Sequence, residues 1–141
     1  MNYEEANEIV RSLRRLAMSQ RGRKVDLLRA HGLQPGQDVI LLELAELGET
    51  SQILLAEAVE VDEPSVGRSI ARLEKKGLVE RCVDPTDTRR RLVTLSPAGR
   101  KLIPKLKKIY VTIATETVGE AGSPFHKRLL KTVRETTDRF E

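Results

Sequence analysis

Between Asp62 and Pro97 the spacing of apolar residues changes period twice, and that change restricts the fold more than any other feature of the chain. Val66, Ile70 and Leu73 recur at intervals of four and three, the spacing of one buried stripe on a helix. Asp62 stands ahead of them as N-cap, with Pro64 in the first turn, where a missing N–H costs nothing. Gly77 ends the stripe. Leu78 to Val83 and Arg91 to Leu95 then read as two short strands around a polar hairpin loop, Asp84 to Arg90. Ser96-Pro97 restarts a helix as cap and first residue.

The flanks read as helices. Residues 3–30 place Ile9, Leu13, Leu16 and Ala17, then Val25, Leu27 and Leu28, at helical spacing. Gly22 marks a bend or interruption, and Gly32 a C-terminal stop. A second helix starts near Gln34-Pro35-Gly36-Gln37 and runs through Val39, Ile40, Leu42, Leu44 and Leu47, with Asp38, Glu43 and Glu46 on its polar face. Thr50-Ser51-Gln52 opens a third, short helix, with Ser51 as N-cap. The helix from Ala98 carries Leu102, Ile103, Leu106, Ile109, Val111 and Ile113, and Pro104 inside it is expected to bend it. After a break at 119–124, Phe125 to Phe140 is a final helix with Leu129, Leu130, Val133 and Phe140 as its apolar positions. The expected fold is mainly α with a small antiparallel β wing.

Composition narrows the function. At 141 residues the chain holds one modest core, with helical arms at most. Aromatics are 3% and Trp is absent, so the core is aliphatic and a large aromatic ligand cage is not expected. The apolar run Val39 to Leu42 is far too short to cross a bilayer. The N-terminus is acidic first and lacks the apolar stretch of a secretory signal, so a cytoplasmic protein is expected. One Cys and two His exclude a disulfide framework, a Cys-rich zinc site and a His cluster. Cys82, His31 and His126 fall in three different elements, without a nucleophile–base motif around any of them. No Gly-rich phosphate loop, HExxH or CxxC occurs. No catalytic residue, cofactor or metal ligand is therefore predicted, and Cys82 reads as a small buried hydrophobe.

The net charge of +4 conceals a strong segregation. Residues 31–63 carry eight acidic side chains and no Lys or Arg, whereas residues 88–115 carry eight basic ones and no carboxylate. A long positive block is the footprint of a polyanion partner, or else a solvated helix face and a basic turn. The order of elements favours the first. A short helix, a tight turn, a longer helix and a basic hairpin form an arrangement for reading DNA, where one helix enters the major groove and phosphate contacts set its register. On the helix after Asp62, Val66, Ile70 and Leu73 fall on one side, and Ser65, Arg68, Arg72 and Lys75 on the other. Arg suits base readout because it reaches guanine O6 and N7 with two bonds. Gly67 leaves room for close approach to bases or backbone, or accommodates packing, at a propensity cost of about 1 kcal/mol. Arg89, Arg90 and Arg91 give the hairpin a cationic tip suited to a narrow minor groove, and Asp87 is placed to hold one guanidinium. Three arginines that merely keep a hairpin soluble are the competing reading.

From Gly32 to about Leu106 the chain resembles the winged helix–turn–helix of the MarR family of bacterial transcription regulators. The residues that carry the resemblance are Gly32-Leu33-x-Pro35-x-Gln37, Leu55-Ala56, and Val66-x-Arg68 with Ile70-x-x-Leu73-Glu74-x-x-Gly77-Leu78-Val79. The most specific stretch is Asp84-Pro85-x-Asp87-x-Arg89-x-x-x-Val93-x-Leu95-Ser96-x-x-Gly99. The resemblance implies a homodimer. Residues 1–31 would form an N-terminal dimerisation arm, 32–100 the DNA-binding domain and 101–141 the C-terminal dimerisation helices. The recognition helix maps to 63–76 and the wing to 84–91, with Arg89 in the minor groove. Double-stranded DNA carrying a near-palindromic operator is the implied partner, and repression relieved by a small-molecule effector, often an anionic aromatic, is the implied activity. The candidate DNA-binding residues are Ser51, Gln52, Ser65, Gly67, Arg68, Ser69, Arg72, Lys75, Asp87, Thr88, Arg89, Arg90 and Arg91. Two positions depart from the pattern. Gly67 stands where many relatives carry Thr or Ser, and Cys82 lies outside the N-terminal region where peroxide-sensing relatives keep their thiol. The alternative function is a winged-helix module that binds protein without sequence-specific DNA binding.

Overall fold

The computed structural model describes residues 1–141. Its elements are α1 (Tyr3–Arg29), α2 (Gln37–Leu47), β1 (Thr50–Ser51), α3 (Gln52–Val59), α4 (Glu63–Lys75), β2 (Val79–Asp84), β3 (Asp87–Leu95), α5 (Pro97–Val118) and α6 (Pro124–Thr137). Five of the helices begin on a side chain that accepts an orphan backbone N–H: Asn2, Ser51, Asp62, Ser96 and Ser123. Ser51, Asp62 and Ser96 are the caps expected from sequence. The Ser96 hydroxyl also donates to the Gly77 carbonyl, which ties the start of α5 to the turn between α4 and β2. Helix α1 runs through Gly22 without interruption, and α5 continues past Pro104.

The three strands form one antiparallel sheet in the order β1-β3-β2. Strand β1 was not expected; it pairs Thr50 with Val93 and Ser51 with Leu92, and so seats the start of α3 on the sheet. The hairpin is also tighter than its sequence implies. Asp84 pairs with Asp87 around the Pro85-Thr86 turn, and the Asp84 carboxylate accepts from both the N–H and the hydroxyl of Thr86, at 2.8 and 2.7 Å. The ladder resumes at Val83 and Arg91, leaving Thr88, Arg89 and Arg90 as a bulge between the two pairings. A bulge interrupts pairing and re-aims the side chains it carries.

The core has 16 buried apolar residues drawn from α1 to α5 and the sheet. Val66, Ile70 and Leu73 face it from α4 as expected, and all three are buried. Ile103, Leu106 and Ile109 place the first half of α5 in the same core, with Leu102 packed against it. Gly99 is required there. A Cβ at that position would lie 2.1 Å from the Leu78 carbonyl oxygen. By contrast α1 buries only Leu28, and α6 buries no residue. Ile9, Leu13 and Leu16 on α1, and Phe125, Leu130 and Val133 on α6, remain exposed.

Asp38 corrects the sequence reading that put it on a polar face with Glu43 and Glu46. It is fully buried. Its Oδ2 meets Lys24 Nζ at 2.7 Å and accepts from the Tyr110 hydroxyl at 2.7 Å, while Oδ1 accepts from the Gly36 N–H at 2.9 Å. Lys24 Nζ also stands 5.1 Å from the centre of the Tyr110 ring. This cluster fastens α1, α2 and α5 together. Cys82 is a second correction: it is exposed rather than buried. Glu80 and Val83 in β2 are exposed as well, and the buried positions of the hairpin are Val79, Val93, Leu95 and the turn residue Asp84.

Candidate nucleic-acid interface

Helix α4 is amphipathic because the N-cap at Asp62 fixes its start and the Val66–Ile70–Leu73 stripe fixes its rotation. Asp62 Oδ1 accepts from the Ser65 N–H at 2.8 Å, and the bonds from Ser65 hold its carboxyl below the usual carboxylate range. The outward arc carries Ser65, Arg68, Ser69, Arg72 and Lys75. Arg68, Arg72 and Lys75 are exposed, whereas Ser65 and Ser69 are half-buried. Arg68 Nη2 donates to Ser65 Oγ at 2.9 Å, which lays the guanidinium along the first turn. Lys76 leaves this arc. It donates to the Gly32 carbonyl and, at 3.1 Å, to Gln37 Oε1, anchoring the end of α4 to the start of α2.

The hairpin is set beside α4 by a pair between Arg81 and Glu74 at 3.2 Å. At its tip Asp87 binds Arg89 through both carboxylate oxygens, at 3.1 Å to Nε and 3.4 Å to Nη2. That contact holds the Asp87 carboxyl below its ordinary range. The Arg89 side chain nonetheless stays 88% exposed. Asp87 orients the guanidinium without covering it. Thr88, Arg90 and Arg91 are exposed too, and neither Arg90 nor Arg91 forms an ion pair.

The start of α3 closes the arrangement. A cleft of about 80 Å³ is lined by Ser51, Gln52, Ile53, Glu63, Arg89, Arg90 and Arg91, so the wing tip, the α3 N-terminus and the first residue of α4 meet on one side of the molecule. Ser51 is buried, with its hydroxyl accepting from the Leu54 N–H at 3.2 Å. Gln52 is half-buried and lies over Gly67. Sequence reasoning brought Ser51, Gln52 and the three arginines to this region but overlooked Glu63 and Ile53. For Glu63 a signal was present: it directly follows the Asp62 cap and so belongs to the exposed first turn of α4.

Residues 33–90 match the sequence model of the MarR family. A MarR-family segment thus spans α2, α3, α4 and the wing tip, 58 of the 141 residues. Members of that family are transcriptional regulators rather than enzymes. The transcriptional regulator HosA of Escherichia coli O111:H- is 29% identical over 98 residues, which cover 70% of this chain and 73% of HosA. A putative transcriptional regulatory protein for the hcr operon of Thauera aromatica is 34% identical over 77 residues. That match takes in 55% of this chain and 46%, about half, of the Thauera protein. The structure of Bordetella bronchiseptica BpsR, a protein whose DNA binding is regulated by 6-hydroxynicotinic acid, superposes with a TM-score of 0.78 at 25% identity. It covers 92% of this chain and 98% of BpsR, so the whole arrangement of helices and wing is shared.

Proposed function

We propose that this protein belongs to the MarR family and is a homodimeric, sequence-specific DNA-binding repressor released by a small-molecule effector. The observation that carries the proposal is the meeting of the arginine-bearing wing, the start of α3 and the first residue of α4 on one side, the last of these on the same helix that exposes Arg68, Arg72 and Lys75. In this reading residues 63–76 enter the major groove and Arg89 reaches into the adjacent minor groove. The exposed apolar residues of α1 and α6 support the dimer, since a soluble protein seldom leaves two such helix faces uncovered. A twofold axis then presents two recognition helices to a near-palindromic operator, with half-sites about one helical turn apart. A cleft of about 590 Å³ between α1 and α5, lined by Arg21, Lys24, Gln20 and Tyr110 among others, supports an effector of anionic character. The effector acting on BpsR is consistent with that class.

Selection from a random duplex library tests the reading. A symmetric site should emerge, and affinity for it should fall steeply with salt as condensed counterions are released. Arg89→Ala should weaken binding by about 1 kcal/mol or more in a mobility-shift titration while leaving the melting temperature unchanged. Unchanged binding removes Arg89 from the interface. Failure to select any symmetric site, with a protein retained on the wing instead, favours the interaction-module alternative.

A further inference from the structure

Resting on the DNA-binding reading above, we propose that Gln52 is a base-reading residue that takes an adenine in the major groove, and that Gly67 is glycine in order to seat it. Gly67 is not among the glycines with positive φ, so backbone conformation does not require it. Glycine is also the poorest helix former after proline, and this one sits in the interior of α4. Space accounts for it. A Cβ at position 67 would stand 2.9 Å from Gln52 Nε2, 3.5 Å from its Cδ and 3.8 Å from its Oε1. The carboxamide of α3 therefore occupies the place where residue 67 would have put its own side chain.

Its orientation is set from the other side. Gln52 Nε2 lies 3.5 Å from Glu63 Oε1, a long contact that turns the nitrogen toward the first residue of α4. This is the sole hydrogen bond of the amide within the protein, which leaves one N–H and the carbonyl oxygen free. On the α4 wheel, Gly67 lies between the buried stripe and the arc of Ser65, Arg68 and Arg72. The seated amide thus extends that arc toward the wing, into the cleft that Arg89, Arg90 and Arg91 also line. A carboxamide carries a donor and an acceptor side by side, the complement of adenine N7 and its N6 amino group.

The experiment compares three full-length proteins by library selection and by competition on the selected duplex. The wild type is expected to select a symmetric site with one strongly preferred A·T pair in each half-site. Gln52→Ala should reduce the preference at that pair by about tenfold or more and leave the other positions as they were. Gly67→Ala should erase the same preference by displacing the amide, with a melting temperature equal to or above that of the wild type. Two results overturn the proposal: a Gln52→Ala protein weakened equally on every sequence, which marks a phosphate contact, or one whose base preferences are unchanged. A Gly67→Ala protein that melts several degrees lower also overturns it, because Gln52 is then packing rather than a movable reader. A wild type that selects no symmetric site sinks the parent reading as well, and is distinguishable from all of these.

Discussion

Gly99→Ala should cost about 3 kcal/mol or more, the upper end of what overpacking a core exacts. The added methyl would stand 2.1 Å from the Leu78 carbonyl oxygen and 3.3 Å from Leu95 Cδ2. The first obstacle is backbone, so no side-chain rotation relieves it. That carbonyl also accepts the Ser96 N–H at 3.1 Å, and the Ser96 hydroxyl accepts the Gly99 N–H at 3.0 Å. Moving α5 away from β2 therefore breaks the joint that caps it. Urea unfolding followed by circular dichroism measures the loss. Gly22→Ala is the control: nothing lies within 4 Å of a Cβ at position 22 in α1, and that variant should gain about 0.5–1 kcal/mol. A Gly99→Ala protein as stable as the wild type would show that the α5–β2 contact yields easily.

Lys24→Met should cost about 3 kcal/mol, because it strands the buried Asp38 carboxylate. The Tyr110 hydroxyl and the Gly36 N–H remain as partners, but neither carries a compensating charge. Adding Asp38→Leu to that variant should recover a large part of the loss, since replacing both partners of a buried pair by apolar groups is far less damaging than removing one. Absence of recovery in thermal unfolding would mean that the bond to Gly36, which steadies the start of α2, matters more than the charge. The same cluster sets an alkaline limit. Burial lowers the Lys24 pKa, yet its bond and attraction to Asp38 outweigh that and leave it raised. Burial raises the Tyr110 pKa, and the bond to Asp38 raises it further. Both groups hold their protons more tightly folded than unfolded. Their contribution is complete below the ordinary tyrosine and lysine values and is lost as the pH climbs past them. The melting temperature should accordingly decline faster in the alkaline range for the wild type than for the double variant.

The local features of this fold are legible in the chain. Ser51, Asp62 and Ser96 cap their helices because a cap depends on residues two or three positions away. The α4 stripe is legible for the same reason. The misreadings are non-local. Asp38 looked solvated because its partners stand 14 residues before it and 72 after it, at Lys24 and Tyr110. Strand β1 is two residues long and is held by β3, which lies about forty residues further along; no period can appear in so short a segment. The start of β3 was read as loop because Thr88, Arg89 and Arg90 are polar and exposed, and the bulge that contains them carries no hydrophobic alternation. At the interface, the side of α4 that faces outward was predictable from sequence. The nesting of Gln52 against Gly67 was not, since it joins two helices whose relative placement is decided by the core.

The hairpin is a lever with its fulcrum at Gly99. Its base is locked to α5 by the Ser96 and Gly99 contacts, and braced against α4 by Arg81 and Glu74. Its arm is the run from Val79 to Asp84, about 17 Å at strand rise. Rocking α5 by about 10° would sweep the Arg89 end of that arm through about 3 Å, the reach of one hydrogen bond. The same rotation would carry Leu106, about 10 Å along α5 from Gly99, through about 2 Å of the core, so the fingertip can swing only as far as the hub repacks.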